Sequence, residues 1–400
     1  MAIIMTNRER RMTMFAMVIA VTAGAMETDV YLPALPSMKD YFQVSDAVIQ
    51  WVLTANFFGL CLSSLFYGPL TDAYGRRHIL LLGLGIFLWG SIGCVVAESI
   101  ESLLWWRFVQ GLGTSAVFVI PGAVIFDIYN KEDAIQAMGG LNTLITLVMS
   151  ISPLMGSYLN ITFGWQANVW FLAGFSLMAF LLVLFCSKES LMPQDRQLLH
   201  LKRIGFDYAR LATSGKAMNP LMILNIVFGA YMIYIANLSL VYIDYLHVDE
   251  WIFSLYQGSI LLTFALVSIF HSRFMSWMGE HRVRKGGLYL LAIGATLLFL
   301  ITYLWPSATI SMSLAMMVFT AGFALLCPVL FADYMSVFPE MKGVASALCS
   351  SARLVFMAGA VAFSGVVFNG SMLPVGTLML LLTAMAIGCL GYSLRSKTTC

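Results

Sequence analysis

The sequence predicts an all-α integral membrane protein of twelve transmembrane helices, arranged as two six-helix halves. Three observations carry that prediction. Of its 400 residues 60% are hydrophobic and only 10% charged, far from the usage of soluble domains, so water is not the main solvent of this chain. The apolar residues fall into twelve stretches, each near the roughly 20 residues that one bilayer crossing needs. One long polar connection, 188–218, carries six basic residues and divides the stretches six and six. The expected organisation is an N-terminal bundle over 1–187, a cytoplasmic linker over 188–218 and a C-terminal bundle over 219–400.

The first stretch, 12–34, follows Arg8, Arg10 and Arg11, and its Ala23-Gly24-Ala25 could pass for a signal-peptidase site. It runs on into acidic and Pro-rich residues, so it reads as a retained first helix. Stretches at 47–70, 79–97, 102–126, 134–158 and 167–187 complete the first half. Those at 219–243, 251–276, 286–304, 307–332, 343–368 and 373–394 make the second. Several contain Gly or Pro, which membrane helices tolerate when neighbours satisfy the freed backbone groups.

Orientation follows the Lys and Arg of short loops and not the small net charge of +2. With the N-terminus inside, every loop Lys and Arg except Lys39 falls on the inner side, while Glu98, Glu101, Asp244, Asp249 and Glu250 mark the outer loops. This predicts both termini in the cytoplasm of a bacterial inner (cytoplasmic) membrane, and the linker as a solvated tether along the inner leaflet. Two six-helix halves suit a carrier that rocks about a site near the bilayer midplane. The cysteines are scattered singly, without a C-x-x-C pair, and the histidines make no metal or triad spacing. No nucleophile–base or metal constellation marks an enzyme, and no cofactor or nucleic acid is expected.

Between the second and third stretches the chain reads Gly68-Pro69-Leu70-Thr71-Asp72-Ala73-Tyr74-Gly75-Arg76-Arg77. Glycines permit a tight turn, the basic pair stays inside, and Asp72 can meet the positive end of another helix. The run resembles the G-x-L-x-D-x-x-G-R-R signature of the major facilitator superfamily, whose fold is two pseudo-symmetric six-helix halves. By that resemblance Asp72 meets the eleventh helix near Gly343, and Gly68, Asp72, Gly75, Arg76 and Asp127 form a latch that holds the outward-facing state. In the matching loop of the second half the acid position is Ser276, so the charge cluster is expected on one side only.

Arg107-Phe108-Val109-Gln110-Gly111-Leu112-Gly113 is similar to the R-x-x-Q-G-x-G element of proton-coupled drug antiporters. An arginine within a membrane helix is costly and calls for a partner or a function. Asp29-Val30-Tyr31-Leu32-Pro33-Ala34-Leu35-Pro36 resembles the first-helix stretch of the Bcr/CflA drug exporters. Both Asp29 and Arg107 lie about 10 Å below the outer surface at 1.5 Å per residue. Asp29 is therefore expected to pair with Arg107 and to carry a coupling proton that Arg107 and Gln110 sense. The alternative is a purely structural ion pair. Glu27 is a second acid and the other candidate for the coupling proton, pointing about 200° away from Asp29. Ser152-Pro153-Leu154-Met155-Gly156 is a weakened antiporter motif in which Pro153 and Gly156 would form a hinge, and Lys342-Gly343-Val344-Ala345-Ser346-Ala347-Leu348 matches the group's eleventh-helix start.

Arg353, about 15 Å into that eleventh helix, corresponds to no motif of the group. It reads either as an anion-recognition residue or as a partner for Glu27 or a helix carbonyl. Tyr31, Asn56, Asn142, Asn225, Tyr234 and Asn237 are the other candidate cavity residues, each also readable as packing, with Tyr231 and Gln257 beside them. Plentiful Met and Phe fit an adaptable apolar pocket. The resemblance implies a monomeric proton/substrate antiporter exporting small amphipathic compounds by alternating access. A dedicated carrier of an anionic metabolite such as a carboxylate siderophore, and a membrane sensor that does not transport, stay open beside it.

Overall fold

The computed structural model describes residues 5–192, 194, 206, 208–211, 213–337 and 342–398. Much of the linker, including Arg196, Lys202 and Arg203, lies outside them. Among the described residues twelve helices are long and apolar enough to cross a membrane. The chain forms two compact units, Met1–Val44 with Trp51–Leu201, and Ser45–Gln50 with Lys202–Cys400.

The first six helices are α1 (Asn7–Tyr31), α2 (Asp46–Tyr74), α3 (Arg76–Val95), α4 (Ile100–Ile128), α5 (Lys131–Phe163) and α6 (Trp165–Cys186). Helix α1 begins earlier than its apolar stretch. Thr6 Oγ1 accepts from Glu9 N at 3.3 Å and Glu9 Oε2 accepts from Thr6 N at 2.9 Å, a reciprocal cap that a hydropathy window does not sense. After Tyr31, a 3₁₀ turn at Leu32–Ala34 and a short helix at Leu35–Phe42 carry the segment on, because Pro33 and Pro36 remove two donors that an α-helix would need. The core of this unit is Ala16, Ala20, Leu84, Phe87, Ala116, Val117 and Ile120, contributed by α1, α3 and α4. Alanines recur there, at Ala16, Ala20 and Ala116, because membrane helices gain by close van der Waals approach and not by burial from water. Large apolar side chains instead point outward, as with Trp89, Trp105 and Phe185, where a lipid-facing surface accommodates them.

The second six are α7 (Gly215–Ser239), α8 (Glu250–Met278), α9 (Glu280–Leu304), α10 (Thr309–Ser336), α11 (Lys342–Val367) and α12 (Leu373–Thr398). A π-helical turn at Leu240–Tyr245 extends α7, and Tyr242 Oη there bonds Tyr234 Oη and Ser313 Oγ, each at 3.1 Å.

The two units repeat one device. Gly75 (φ 100°) joins α2 to α3 and Gly279 (φ 79°) joins α8 to α9, both in a backbone region that side chains with a Cβ rarely enter. Of the two glycines in the signature run only Gly75 makes the turn. Gly68 lies inside α2, with Pro69 also helical.

Candidate functional site

The signature run builds a charge cluster at the shared end of α2, α3 and α4. Arg76 Nη1 donates to Asp72 Oδ1, and Arg76 Nε donates to Asp127 Oδ2 at 3.2 Å. Two further side chains come from the start of the linker, where no motif pointed. Ser190 Oγ donates to Asp127 Oδ2 at 2.9 Å, and the Glu189 carboxylate accepts from Arg76 N at 2.8 Å and Arg77 N at 3.3 Å. Gly75 has no side chain to cap α3, so Glu189 satisfies the first orphan N–H groups at the positive helix end. The surroundings of the Lys342–Val344 side chains, where Asp72 is expected to meet a helix start, lie outside the described residues.

The expectation of a one-sided cluster is corrected. Arg284 Nη1 donates to Asp333 Oδ2 at 2.6 Å, Arg284 Nη2 to Asp333 Oδ1 at 3.1 Å and to Glu280 Oε1 at 2.5 Å. The second unit supplies its acids from α9 and the end of α10, so the loss at Ser276 does not remove the cluster.

Deeper in the first unit, glycines decide which side chains meet. A Cβ on Gly111 would lie 2.2 Å from Asn56 O, and one on Gly59 would lie 2.2 Å from Phe108 O, so α2 and α4 touch backbone to backbone. A Cβ on Gly90 would lie 2.5 Å from Gln110 N, which brings α3 equally close. Side chains flanking these contacts are thereby forced together with α1 in a buried interior.

The carboxylate that meets Arg107 there is Glu27. Its Oε1 lies 3.5 Å from Arg107 Nη1 and accepts from Asn56 Nδ2 at 2.5 Å. Depth along the helices could not separate Glu27 from Asp29, and the rotation of α1 selects the former for Arg107. Asp29 is also buried, at 4% exposure. Arg107 Nη1 donates to Gln110 Oε1 at 2.6 Å, Gln110 Nε2 donates to Ser91 Oγ at 2.9 Å, and Ser91 Oγ donates to Phe87 O at 2.8 Å. Arg107 Nε reaches Val52 O at 3.3 Å, and the guanidinium carbon stands 4.1 Å above the Tyr31 ring. The side chains of Arg107, Gln110, Asn56 and Tyr31 are all completely buried. Tyr31 and Asn56, read from sequence as cavity candidates, therefore belong to the packed charge network. Ser91 was not legible as a member, since a lone serine in an apolar helix carries no spacing signal.

Gly156 packs α5 on α1, its absent Cβ falling 2.4 Å from Val30 O, the oxygen to which Asn168 Nδ2 donates at 3.1 Å. Helix α5 runs unbroken through Pro153. Asn142 on α5 is exposed.

In the second unit, Asn237 is fully engaged. It accepts from Gln50 Nε2 at 2.8 Å and donates to Ile233 O at 2.7 Å and Ser364 Oγ at 3.0 Å. Tyr234 is buried against Tyr242, and Tyr231 stacks on Phe323 with centroids 5.3 Å apart. Asn225 is buried with neither amide atom hydrogen-bonded among the described residues. The Arg353 guanidinium carbon lies 4.9 Å from the centroid of the Phe228 ring.

Comparison with known proteins places this geometry in context. The chain is 25% identical over 337 residues to a bicyclomycin resistance protein homolog of Haemophilus influenzae, covering 83% of each chain. It is 28% identical over 176 residues to the multidrug resistance protein MdtL of Escherichia coli, 44% of each. Among solved structures, the xylose transporter XylE of Escherichia coli in a partially occluded inward-open conformation superposes with a TM-score of 0.70 at 13% identity, covering 94% of this chain and 96% of that one, a likeness of fold. The Major Facilitator Superfamily model matches residues 14–361, nearly the whole membrane region, and the chain belongs to that superfamily.

Proposed function

We propose that this transporter is a proton/substrate antiporter that exports small amphipathic compounds from the cytoplasm by alternating access, with both termini inside. The observation that carries the reading is a carboxylate, Glu27, held beside Arg107 with both side chains fully buried at membrane depth. A charged group there is costly unless it is paired or functional. The pair gives the carboxylate two states of different energy. Deprotonated, Glu27 neutralises Arg107. Protonated, it releases Arg107 to Gln110 and the Tyr31 ring, and the surrounding helices repack around an uncompensated cation. A proton entering from outside and a substrate leaving from inside would thus stabilise different arrangements of one element, which is the requirement for exchange. Asp29 is the second candidate carrier, one face further round α1.

The resistance proteins that this chain resembles support export of amphipathic toxic compounds. The charge cluster of Asp72, Arg76 and Asp127 would act as a latch between states.

The test is transport in proteoliposomes under an imposed pH gradient, with ethidium and a panel of neutral amphipathic compounds. Wild type is expected to move at least one of them only when the gradient is present. Glu27→Gln, which keeps the Asn56 hydrogen bond but not the charge, is expected to bind substrate and lose gradient-driven flux. Normal coupling in that variant, with Asp29→Asn uncoupled instead, would move the proton site to Asp29. Coupling that survives in the double variant would refute the assignment.

A further inference from the structure

Each unit holds one arginine at membrane depth over an aromatic ring, and the two are neutralised differently. In the first unit the ring is Tyr31 on α1, and four residues before it on the same helix face stands Glu27, which meets Arg107. In the second unit the ring is Phe228 on α7, and three residues before it on the same face stands Asn225. The carboxylate of the first arrangement is replaced by a neutral amide in the second. Among the described residues no carboxylate pairs with Arg353, whereas Asp333 is already committed to Arg284 near the helix end. A cation–π contact returns only part of what placing a guanidinium in a membrane interior costs.

The amide one turn before that ring is equally unspent. Neither Nδ2 nor Oδ1 of Asn225 has a hydrogen-bond partner among the described residues, although the side chain is fully buried. Buried polar groups are normally satisfied, so an unpartnered amide on the helix face whose ring meets a cation without a counter-ion signals a missing third group. Asn225 and Arg353 lie ten and eleven residues after the first residues of α7 and α11, two packed helices of the same polarity, so they share a depth of about 15 Å. That is far from a lipid headgroup plane in a core about 30 Å thick. Arg353 is partly exposed and can be reached, and Phe228, Tyr231, Phe264 and Phe323 form one continuous aromatic cluster next to it.

From this geometry we infer that Arg353, with Asn225 and Phe228, forms an oxyanion subsite, and that the transported compounds include amphipaths bearing a carboxylate or comparable oxyanion. The guanidinium offers paired N–H donors to the oxyanion, the Asn225 amide donates a further hydrogen bond, and the aromatic cluster receives the apolar body. The inference deepens the export reading above by naming a substrate class for the second unit.

The experiment measures equilibrium binding of 4-phenylbutyrate and its uncharged isostere 4-phenylbutyramide to the purified full chain by calorimetry, without a gradient. Wild type is expected to favour the carboxylate by about tenfold, the scale of one charge-assisted hydrogen bond. Arg353→Gln is expected to erase the preference and Arg353→Lys to keep part of it. Asn225→Asp retains Arg353 and supplies the carboxylate that the first unit has, so it is expected to abolish the preference while phenylbutyramide still binds. Equal affinities in wild type, or a preference that survives both Arg353→Gln and Asn225→Asp, would overturn the subsite. A preference that disappears in phosphatidylglycerol vesicles but persists in phosphatidylcholine would assign the subsite to a net-anionic lipid headgroup and overturn its role in substrate choice. Since binding is read without flux, absence of pH-driven transport in wild type would sink the export reading and leave this one standing.

Discussion

Glu27 Oε1 lies 3.5 Å from Arg107 Nη1 across 80 residues of sequence, and neither side chain is more than 1% exposed. Removing one partner of such a pair strands a charge in a buried interior, which costs about 3–5 kcal/mol. Arg107→Met is therefore expected to destabilise the first unit by that amount, and addition of Glu27→Gln is expected to recover much of the loss. Thermal and denaturant unfolding of the four members of the cycle in mild detergent measures the coupling. Additive effects of the two substitutions would show that the pair is not an energetic unit.

The close approach of α2 and α4 makes a sharper prediction about glycine. A methyl at Gly111 or Gly59 would meet a backbone oxygen at 2.2 Å, and backbone cannot swing aside as a side chain can. Gly111→Ala is expected to cost about 1–3 kcal/mol through overpacking and to loosen the Asn56–Glu27 bond. Gly139→Ala, where a Cβ meets nothing within 4 Å, is the matched control and is expected to leave the melting temperature unchanged or slightly raised. Melting curves of both variants settle the comparison.

These glycines also show what was legible in the sequence. Twelve crossings, the signature turn at Gly75, the Asp72–Arg76 pair and the Arg107–Gln110 pair follow from composition or spacing, because each depends on residues near one another along the chain, whereas Asp127, 51 residues from Arg76, follows from the resemblance alone. The choice of Glu27 over Asp29 depends on the rotation of α1 about its axis, which is set by packing at Val117 on α4 and Gly156 on α5. Hydropathy carries no such phase when a helix is apolar all round. Asp333 is not legible from the motif, because Arg284 draws its partner from the end of another helix and not from the equivalent loop position. Glu189 is not legible because it lies in a polar linker, where a carboxylate reads as solvated surface.

Glu189 supplies the next prediction. Its carboxylate accepts from the N–H groups of Arg76 and Arg77 at the start of α3, a capping role played by a distant residue. Glu189→Ala is expected to destabilise by about 0.5–2 kcal/mol, in the range of a lost N-cap. Glu189→Gln keeps an acceptor oxygen and is expected to lose less. Hydrogen exchange at the first turn of α3 should rise in the alanine variant and stay nearer wild type in the glutamine one. Equal protection in all three proteins would rule out the cap.

Tyr31 separates ring from hydroxyl in the central network. Its ring faces the Arg107 guanidinium at 4.1 Å, while its Oη lies against the Cys94 thiol, a weak hydrogen-bond partner. Stability should therefore reside in the aromatic face. Tyr31→Phe removes only a buried hydroxyl whose partner is a weak thiol, and is expected to change stability by less than about 1 kcal/mol. Tyr31→Leu removes the quadrupole that meets the cation and is expected to lose about 2 kcal/mol from that contact, with a further loss from the void left by the ring. The same ordering should appear in gradient-driven flux, because a protonated Glu27 leaves Arg107 with the ring and Gln110 as its remaining support. Flux retained in the phenylalanine variant and lost in the leucine variant would locate the requirement in the ring. Loss of flux in both variants would place it in the hydroxyl, as a proton relay and not as a support for the cation.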